Sequence, residues 1–266
     1  MSDAPLSVLV LEDSKTQASL IEKMLKAANC HVETLLSARE LTSSPRLFDL
    51  KADAAFIDVH FGAVNGLDLI KPLTERWSGI VLAMMTANSV DDFSVLAKAR
   101  EAGSHIVVRK PFSMVDVKNV LADVRAIRNK GERRPHVVVL DDSKTICKVA
   151  KDLLKTFDYR VSDFQKGEEL FQRLNFDHVD VVLTDMNMPG MSGEEMIMLL
   201  RDVWPEVGVV AMSTETQANG ALDKARAMGV AAILPKPFGA DDLANALAMA
   251  MGAKAGGADA AETVYL

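Results

Sequence analysis

Residues 7–16 read Ser-Val-Leu-Val-Leu-Glu-Asp-Ser-Lys-Thr, and residues 136–145 read His-Val-Val-Val-Leu-Asp-Asp-Ser-Lys-Thr. In both stretches an uninterrupted apolar run leads into two acidic residues, a serine and a lysine. A short continuous apolar run of this kind predicts a strand that is buried on both faces. Because the pattern returns after 129 residues, the sequence predicts that one α/β unit occurs twice in the chain.

Three further landmarks recur in the same order. They are Phe56-Ile-Asp58 with Leu183-Thr-Asp185, Met84-Met-Thr86 with Ala211-Met-Ser213, and Arg109-Lys-Pro-Phe112 with Pro235-Lys-Pro-Phe238. A glycine follows each of the two aspartates by eight residues, at Gly66 and Gly193. The offset between the copies falls only from 129 to 126 residues. The copies therefore differ by small changes in loop length.

Short apolar runs alternate with longer amphipathic segments within each copy. Strands are predicted at 7–11, 31–35, 53–57, 80–85 and 105–108, and again at 136–140, 159–163, 179–184, 207–212 and 230–234. The segments 16–28 and 145–157 have apolar residues at helical spacing. Right-handed crossovers between parallel strands then predict two (βα)5 domains, each an open, doubly wound sheet of five parallel strands.

The segment between the copies is rich in basic residues and ends with Gly131 and Pro135. Glycine and proline stop a helix and form turns. We therefore predict a first domain over 1–130, a linker over 131–135 and a second domain over 136–251. Residues 252–266 are rich in Ala and Gly and are predicted to form a loosely ordered tail.

Composition excludes several classes of protein. Hydrophobic residues make up 49% and charged residues 25% of the 266 residues, which is the balance of folded domains and not of disordered, collagenous or coiled-coil chains. The first residues lack the pattern of a secretory signal, and no uncharged stretch is long enough to cross a bilayer. We therefore expect a cytoplasmic protein. Its two cysteines fit neither a disulfide framework nor a zinc site.

Charge is distributed unevenly between the two halves. The net charge of −7 argues against general nucleic-acid binding. Residues 1–130 carry 16 basic and 16 acidic side chains, whereas residues 131–266 carry 14 basic and 21 acidic ones. All the excess acidity is in the second half, so we expect the halves to differ in their partners or association rates.

Polar residues follow the predicted strands at the edge where ligands bind in open α/β sheets. Each copy supplies three carboxylates, one hydroxyl and one ammonium: Glu12, Asp13, Asp58, Thr86 and Lys110 in the first, and Asp141, Asp142, Asp185, Ser213 and Lys236 in the second. Two carboxylates about 4 Å apart repel by roughly 4 kcal/mol at an effective dielectric of 20. A hard divalent cation such as Mg²⁺ fits this all-oxygen set.

A simpler interpretation exists for each motif taken alone. Asp-Ser-Lys after a strand is usually a helix N-cap, and Asp142 or Ser143 would serve as one. A Lys-Pro pair is usually a turn. These interpretations do not explain why the acid pair, the third acid, the hydroxyl and Lys-Pro recur together in both halves.

Together these residues resemble the receiver domains of response regulators in bacterial two-component signalling, over residues 7–128 and 136–251. The resemblance implies flavodoxin-like domains with a cis peptide bond before Pro111 and before Pro237. It also implies that Asp58 and Asp185 accept a phosphoryl group from a phosphohistidine.

The remaining roles follow from the same resemblance. Asp13 and Asp142 would bind Mg²⁺ directly, Glu12 and Asp141 would bind it through water, and the backbone carbonyls of His60 and Asn187 would complete the site. Thr86 and Ser213 would donate hydrogen bonds to the phosphoryl oxygens, and Lys110 and Lys236 would pair with them.

The first copy departs from the family pattern. The family usually has a proline four residues after the phosphoacceptor; Pro189 stands there in the second copy but Gly62 in the first. The second site is therefore the more standard one. Both copies also lack the family's aromatic residue three positions before the lysine, where Val107 and Ile233 stand.

The favoured function is that of a tandem-receiver response regulator, not an enzyme, that is phosphorylated by a histidine kinase or phosphotransfer protein and acts through contacts with a downstream protein. Only about 15 residues follow the second copy, so no DNA-binding domain is expected in this chain. Two alternatives stay open: the chain is the N-terminal part of a longer regulator, or one copy is an unphosphorylated docking module.

Two other classes fit less well. A haloacid-dehalogenase-type phosphatase would need an acid two positions after its nucleophile, where this chain has His60 and Asn187. A flavodoxin-like nucleotide-binding protein would need a glycine-rich loop after the first strand, where this chain has acids.

Overall fold

The computed structural model describes residues 4–87, 99, 103–174, 179–214, 225 and 227–252. The chain divides into two compact units, Met1–Arg133 and Arg134–Leu266. This division falls between two residues of the predicted linker 131–135.

Five parallel strands form the central sheet of the first unit. They are β1 (Leu6–Leu11), β2 (Cys30–Leu35), β3 (Ala54–Asp58), β6 (Val81–Thr86) and β7 (Ile106–Arg109). Their spatial order is β2-β1-β3-β6-β7, which is the flavodoxin-like order of a doubly wound sheet. A separate antiparallel hairpin, β4 (His60–Phe61) and β5 (Val64–Asn65), follows β3 directly.

The described helices of the first unit lie between these strands in the sequence or, for the last of them, after β7. They are α1 (Lys15–Ala27), the short α2 (Glu40–Ser43), α3 (Ile70–Arg76) and α4 (Met114–Lys130), with 3-10 turns at Pro45–Leu47 and Gly66–Leu69. A capping box of Ser113 and Asp116 begins α4, and Gly131, with a φ of 83°, ends it. Glycine adopts this left-handed conformation without steric cost, so the predicted helix stop at the linker is observed.

The second unit repeats this arrangement. Its strands are β8 (His136–Leu140), β9 (Arg160–Phe164), β10 (Val181–Asp185), β11 (Gly208–Ser213) and β12 (Ala232–Pro235). All its strand pairs are parallel, in the order β9-β8-β10-β11-β12. The described helices are α5 (Lys144–Thr156), α6 (Gly167–Leu174), α7 (Gly193–Val203) and α8 (Ala240–Gly252).

Both faces of each sheet are covered by apolar side chains. In the first unit, one cluster includes Leu11 and Leu73, while the opposite cluster includes Val10 and Val124. The second unit has the same pair of clusters. Strands covered on both sides need no polar alternation, which is why the uninterrupted apolar runs identified them.

The predicted fold class of two doubly wound α/β domains with parallel five-stranded sheets is confirmed. Most strand boundaries differ from prediction by one or two residues, and the last strand begins at Ala232 instead of residue 230. The strand register with β11 begins at Ala232 opposite Val210, and hydropathy cannot locate that limit. Two predictions lie outside the described residues. The helix predicted after the fourth strand of each copy falls on 88–98, 100–102, 215–224 and 226, and most of the predicted tail falls on 253–266.

The hairpin formed by β4 and β5 was not predicted. Gly62 occupies the first position of its two-residue turn with a φ of 64°, a conformation that suits glycine in tight hairpins. The second copy has Pro189 at this point, and proline has no backbone N–H to donate. Among the described helices, none is long and apolar enough to span a membrane.

Candidate functional site

Three carboxylates converge at the carboxyl edge of the first sheet. Glu12 and Asp13 follow β1, and Asp58 is the last residue of β3, the neighbouring strand. One oxygen of each lies within 4.8 Å of the other two. Glu12 and Asp58 are buried, and Asp13 is exposed. The site therefore has a closed inner side and one carboxylate open to solvent.

Lys110 pairs with two of these three carboxylates. Its Nζ lies 2.5 Å from Oε2 of Glu12 and 2.7 Å from Oδ2 of Asp58. The Lys110 side chain is only 14% exposed and that of Glu12 only 1%. One ammonium thus pairs with two largely dehydrated carboxylates. Together with the third carboxylate, that of Asp13, the cluster has a net formal charge of −2.

The second unit builds the same cluster from Asp141, Asp142 and Asp185, whose nearest oxygens also lie within 4.8 Å of one another. Lys236 donates to Asp141 at 2.6 Å and pairs with Asp185 at 2.9 Å. Its side chain is 7% exposed. Two different acid pairs, Glu-Asp and Asp-Asp, therefore give the same arrangement.

The predicted hydroxyl residues end the strands next to the phosphoacceptor candidates. Thr86 ends β6, Ser213 ends β11, and both are buried. The backbone N–H of Lys110 donates to the carbonyl of Thr86 at 2.8 Å, and that of Lys236 donates to Ser213 at 2.7 Å. Hydroxyl and lysine are thus tied together through the backbone in each unit. The Lys110–Pro111 and Lys236–Pro237 peptide bonds are both cis, as the resemblance implied.

A serine, and not an aspartate, caps the helix that follows each acid pair. Ser14 accepts from the N–H of Gln17, and Ser143 accepts from the N–H of Ile146. Capping and the acidic cluster are therefore compatible, because Asp13 and Asp142 are left to the site. The first acid also holds the turn: Glu12 accepts from the N–H of Ser14 at 3.2 Å, and Asp141 from that of Ser143 at 2.9 Å.

Gly66 and Gly193 pack against the phosphoacceptor candidates, a role that the sequence did not reveal beyond their repeated spacing. A Cβ at Gly66 would lie 2.1 Å from the carbonyl oxygen of Asp58. A Cβ at Gly193 would lie 2.6 Å from that of Asp185. Both separations are far inside van der Waals contact, so any side chain here would displace the backbone that carries the aspartate.

The surroundings of Glu12 in the first site disfavour its charged form and so change its pKa. Burial raises the pKa of Glu12 above its ordinary value, and the negative charge of Asp58 raises it further, while the hydrogen bond and charge of Lys110 oppose the shift. Two carboxylates sharing one lysine are thus incompletely neutralised. An additional cation at this point would relieve the remaining repulsion.

The donor set fits a hard divalent cation. Each cluster offers only carboxylate oxygens, and its one exposed member, Asp13 or Asp142, opens towards solvent. Mg²⁺ prefers such oxygen ligands and keeps several of its own waters. The roles assigned to the carbonyls of His60 and Asn187 stay a prediction. The contacts described for these two residues are those of their N–H groups, which approach Asp58 Oδ1 at 3.2 Å and Asp185 Oδ1 at 3.3 Å.

The two phosphoacceptor candidates differ in how their oxygens are engaged. Lys110 donates to Oδ2 of Asp58, while the N–H of His60 donates to Oδ1. In the second unit, Lys236 and the N–H of Asn187 both approach Oδ1 of Asp185. Both oxygens of Asp58 therefore carry a hydrogen bond, whereas the donors on Asp185 share one oxygen.

Comparison with known families gives the same duplication. The profile of the response regulator receiver domain matches the chain twice, over residues 8–122 and 137–248. Since these matches cover most of the chain, this protein belongs to the response regulator receiver domain family and carries two receiver domains.

Curated relatives match one domain's length at a time. The chain is 28% identical over 118 residues to the transcription factor SKN7 of Chaetomium thermophilum, 30% over 100 residues to a response regulator receiver protein of Anaeromyxobacter, and 30% over 110 residues to the DNA-binding transcriptional regulator NtrC of Escherichia coli. These matches cover 44%, 38% and 41% of this chain, but only 15%, 42% and 23% of the relatives.

The chain is also similar to solved structures. The chemotaxis response regulator CheY4 of Vibrio cholerae is 25% identical, with a TM-score of 0.41, and the similarity covers 44% of this chain and 98% of CheY4. A putative two-component system response regulator/GGDEF domain protein is 20% identical, with a TM-score of 0.42, and the similarity covers 94% of this chain and all of that one.

Proposed function

We propose that this protein acts in a phosphorelay, in which Asp58 of the first receiver and Asp185 of the second each accept a phosphoryl group from a phosphohistidine. The observation that carries the proposal is that, in both units, three carboxylates converge and two of them pair with one lysine whose side chain is at most 14% exposed. Phosphoryl transfer depends on positioning and charge stabilisation more than on covalent machinery, and this arrangement supplies both.

The transfer exchanges one bond for another. A carboxylate oxygen of Asp58 or Asp185 attacks phosphorus, the P–N bond of the phosphohistidine breaks, and the imidazole leaves with its electron pair and takes up a proton from water. Lys110 or Lys236 shifts from its carboxylate partners to the phosphoryl oxygens. This shift is short, because the lysine already lies against the carboxylate that accepts the phosphoryl group. The hydroxyl of Thr86 or Ser213 donates to a further phosphoryl oxygen.

Mg²⁺ would be held by Asp13 and the phosphoacceptor in the first unit, and by Asp142 and the phosphoacceptor in the second, with Glu12 and Asp141 reached through water. It would offset the charge of the carboxylates and of the incoming phosphoryl group. Without it, each cluster has a formal charge of −2 before a phosphoryl group arrives, so the reaction requires the metal.

The proposed output is a change in protein contacts. A phosphoryl group adds about −1.5 to −2 charges at pH 7 and three acceptor oxygens. These draw the hydroxyl of Thr86 or Ser213 and the ammonium of Lys110 or Lys236 towards the aspartate, which biases the adjoining surface between two conformations. We propose a histidine kinase or phosphotransfer protein as donor, a downstream protein as target, no catalytic turnover and no nucleic-acid contact by this chain, and action in the cytoplasm.

Phosphotransfer from a panel of histidine kinases with Mg²⁺ tests the proposal. Wild type and the variants Asp58→Ala, Asp185→Ala and Asp58→Ala/Asp185→Ala are compared, with Asp68→Asn and Asp152→Asn as controls for exposed acids outside the sites. We expect each single variant to retain one labelled site, the double variant to retain none, and EDTA to abolish labelling. Label that persists in the double variant would contradict both acceptor assignments.

A second candidate is that this chain is the receiver part of a longer regulator with an output domain. The observation that favours it is that the matched relatives are much longer than their matched segments. The intact mass of the native protein decides between the two: a mass near 28.8 kDa supports the tandem-receiver form, and a substantially larger one supports the longer regulator.

A further inference from the structure

Helix α7 of the second unit carries aliphatic side chains on both of its sides. Met196, Ile197 and Leu200 are buried in the core. On the outside, Met198 is 57%, Leu199 37% and Val203 51% exposed. Leu199 and Val203 are four residues apart and are therefore neighbours on the helix surface, and Met198 lies on the adjoining side of the helix, so the three together form an exposed apolar strip. We call this strip and the acidic residues along it, defined below, the α7 face.

The fold does not require an apolar strip at this place. Helix α3 of the first unit is the counterpart of α7, since Leu73 and Trp77 there match Leu200 and Trp204. The positions matching Met198, Leu199 and Val203 are occupied in α3 by Lys71, Pro72 and Arg76. The same helix is therefore built with a polar outer side in one receiver domain and an apolar one in the other.

Acidic residues accompany the strip. Glu195 precedes Met198 by three residues, Asp202 follows Leu199 by three, and Glu206 lies in the turn just after the helix ends at Val203; all three acids are exposed. Hydrogen bonds from Ser192 lower the pKa of Glu195, so this carboxylate is ionised at neutral pH. The α7 face consists of these acids with Met198, Leu199 and Val203.

The basic side chain of this helix does not neutralise the α7 face. Arg201 turns its guanidinium towards backbone carbonyls, donating to Val207 at 3.1 Å and to Gly229 at 2.6 Å. The exposed positions of α7 in the described chain thus combine aliphatic side chains with negative charge.

We propose that the α7 face binds an amphipathic helix of a partner protein, one whose aliphatic stripe is flanked by Lys or Arg. Burial of Met198, Leu199 and Val203 against aliphatic side chains would supply the free energy of binding, and the flanking cations would pair with Glu195, Asp202 and Glu206. A second copy would bring the same three acids against each other, and an anionic bilayer would be repelled in the same way. This proposal does not depend on phosphoryl transfer.

Fluorescence anisotropy with designed peptides tests the proposal on the full-length protein. The probe is a labelled helical peptide of about 18 residues, long enough to form a helix, with Leu at positions i, i+3, i+4 and i+7 and Lys or Arg beside them. A peptide with the same leucines and Glu in place of the basic residues is the matched control. We expect saturable binding of the basic peptide only, with an affinity that falls as salt is raised.

Three variants locate the binding surface. Met198→Lys/Leu199→Gln/Val203→Arg gives the α7 face a polar character like that of α3, and we expect binding at least about tenfold weaker, as for loss of an interface hot spot. Asp202→Asn/Glu206→Gln should weaken binding and reduce its dependence on salt. Leu20→Gln, which removes an exposed aliphatic residue from the first unit, should bind like wild type.

The variants remain interpretable because every substituted side chain is exposed, and such changes usually alter stability by less than about 0.5 kcal/mol. Thermal unfolding and circular dichroism confirm that the variants are folded. The proposal is overturned if the basic peptide does not bind, if the acidic peptide binds equally well, or if the triple variant binds like wild type. It is also overturned if the triple variant abolishes a concentration-dependent dimer or binding to anionic vesicles, since the α7 face would then serve that contact.

Discussion

At the scale of single residues, Asp58 and Asp185 occupy equivalent positions, but their carboxylates are engaged by donors in different ways. Both oxygens of Asp58 accept a hydrogen bond, from His60 N–H and from Lys110. On Asp185 both donors approach the same oxygen. A hydrogen bond to a charged group stabilises that group by roughly 1.5–3 kcal/mol. In the proposed phosphoryl transfer, whichever oxygen of Asp58 attacks must lose such a hydrogen bond, whereas Asp185 can attack with the oxygen that neither donor approaches.

We therefore expect Asp185 to be phosphorylated at least about tenfold faster than Asp58, since each factor of ten in rate corresponds to about 1.4 kcal/mol of barrier. The measurement compares Asp58→Asn with Asp185→Asn, each of which leaves one acceptor, using acetyl phosphate so that kinase preference plays no part. Asp68→Asn controls for loss of an acid elsewhere. Equal rates, or faster labelling of Asp58, would contradict this expectation.

Gly193 is required by steric contact with the backbone of the site. Replacing it by alanine forces a Cβ against Met186 Cα and the carbonyl of Asp185, at 2.5 and 2.6 Å. We expect Gly193→Ala to lower the free energy of unfolding by about 1–3 kcal/mol, the usual range for overpacking, and to weaken Mg²⁺ binding by the second unit because Asp185 is displaced.

The matched control for this substitution is Gly252→Ala. A Cβ at Gly252 meets nothing within 4 Å, so no steric penalty arises there. Urea unfolding and a Mg²⁺ titration of both variants separate the two positions. The steric account fails if the two variants unfold at the same urea concentration.

At the scale of elements, neighbouring strands are joined at their amino ends as well as at the site. The backbone of His105, just before β7, donates to the carbonyl of Leu82 on β6, and the Leu82 N–H donates to Nδ1 of the His105 ring at 3.2 Å. Partial burial lowers the pKa of His105. The imidazole must be neutral to accept this hydrogen bond.

The first unit should consequently lose stability in mild acid. The unfolded chain binds a proton at His105 near its ordinary pKa of about 6.5, whereas the folded chain resists protonation to lower pH. The contribution of His105 is complete above pH 6.5 or so and declines as the pH falls towards the folded-state pKa. We expect His105→Asn, which keeps an acceptor but does not titrate, to reduce this decline.

Thermal unfolding at pH 7.5 and at pH 5.5 measures the effect as a difference between wild type and His105→Asn. His31→Asn serves as the control, because it removes another exposed histidine of the same unit, which lies in β2 and not beside β6. An identical change in Tm for wild type and His105→Asn would rule out a role for His105 in the pH dependence.

At the scale of the whole molecule, the chain carries the same acidic site twice on two compact units. Binding of a cation by the folded state alone stabilises it by RT ln(1 + [Mg²⁺]/Kd), about 1.4 kcal/mol at ten times Kd. We expect two Mg²⁺ ions to bind per chain and to raise the Tm of both units.

Asp13→Asn and Asp142→Asn should each remove one of the two binding events in isothermal titration calorimetry, and the double variant should remove both. These residues are exposed, so the substitutions should not unfold the protein. Asp152→Asn should keep both binding events. Two undiminished events in the double variant would mean that the cation binds somewhere else.

Much of the fold could be predicted from local sequence. Runs such as Val137–Leu140 have no polar alternation, which is possible only when both faces of a strand are covered. Gly131 ends α4 as its conformational freedom predicts. The hairpin after Asp58 could not be foreseen in the same way, because it depends on the φ of Gly62 and on pairing between His60 and Asn65.

The sequence by itself determined the duplication, the class of fold and which residues are candidates for the site, because apolar periodicity and repeated motifs are properties of the chain alone. Only the tertiary structure decided that Lys110 lies against Glu12 and Asp58, that Asp58 and Asp185 engage their donors differently, and that Gly193 leaves no space for a side chain. Each of these depends on distances between residues far apart in sequence, which are set by the register of neighbouring strands and by the packing of helices on them.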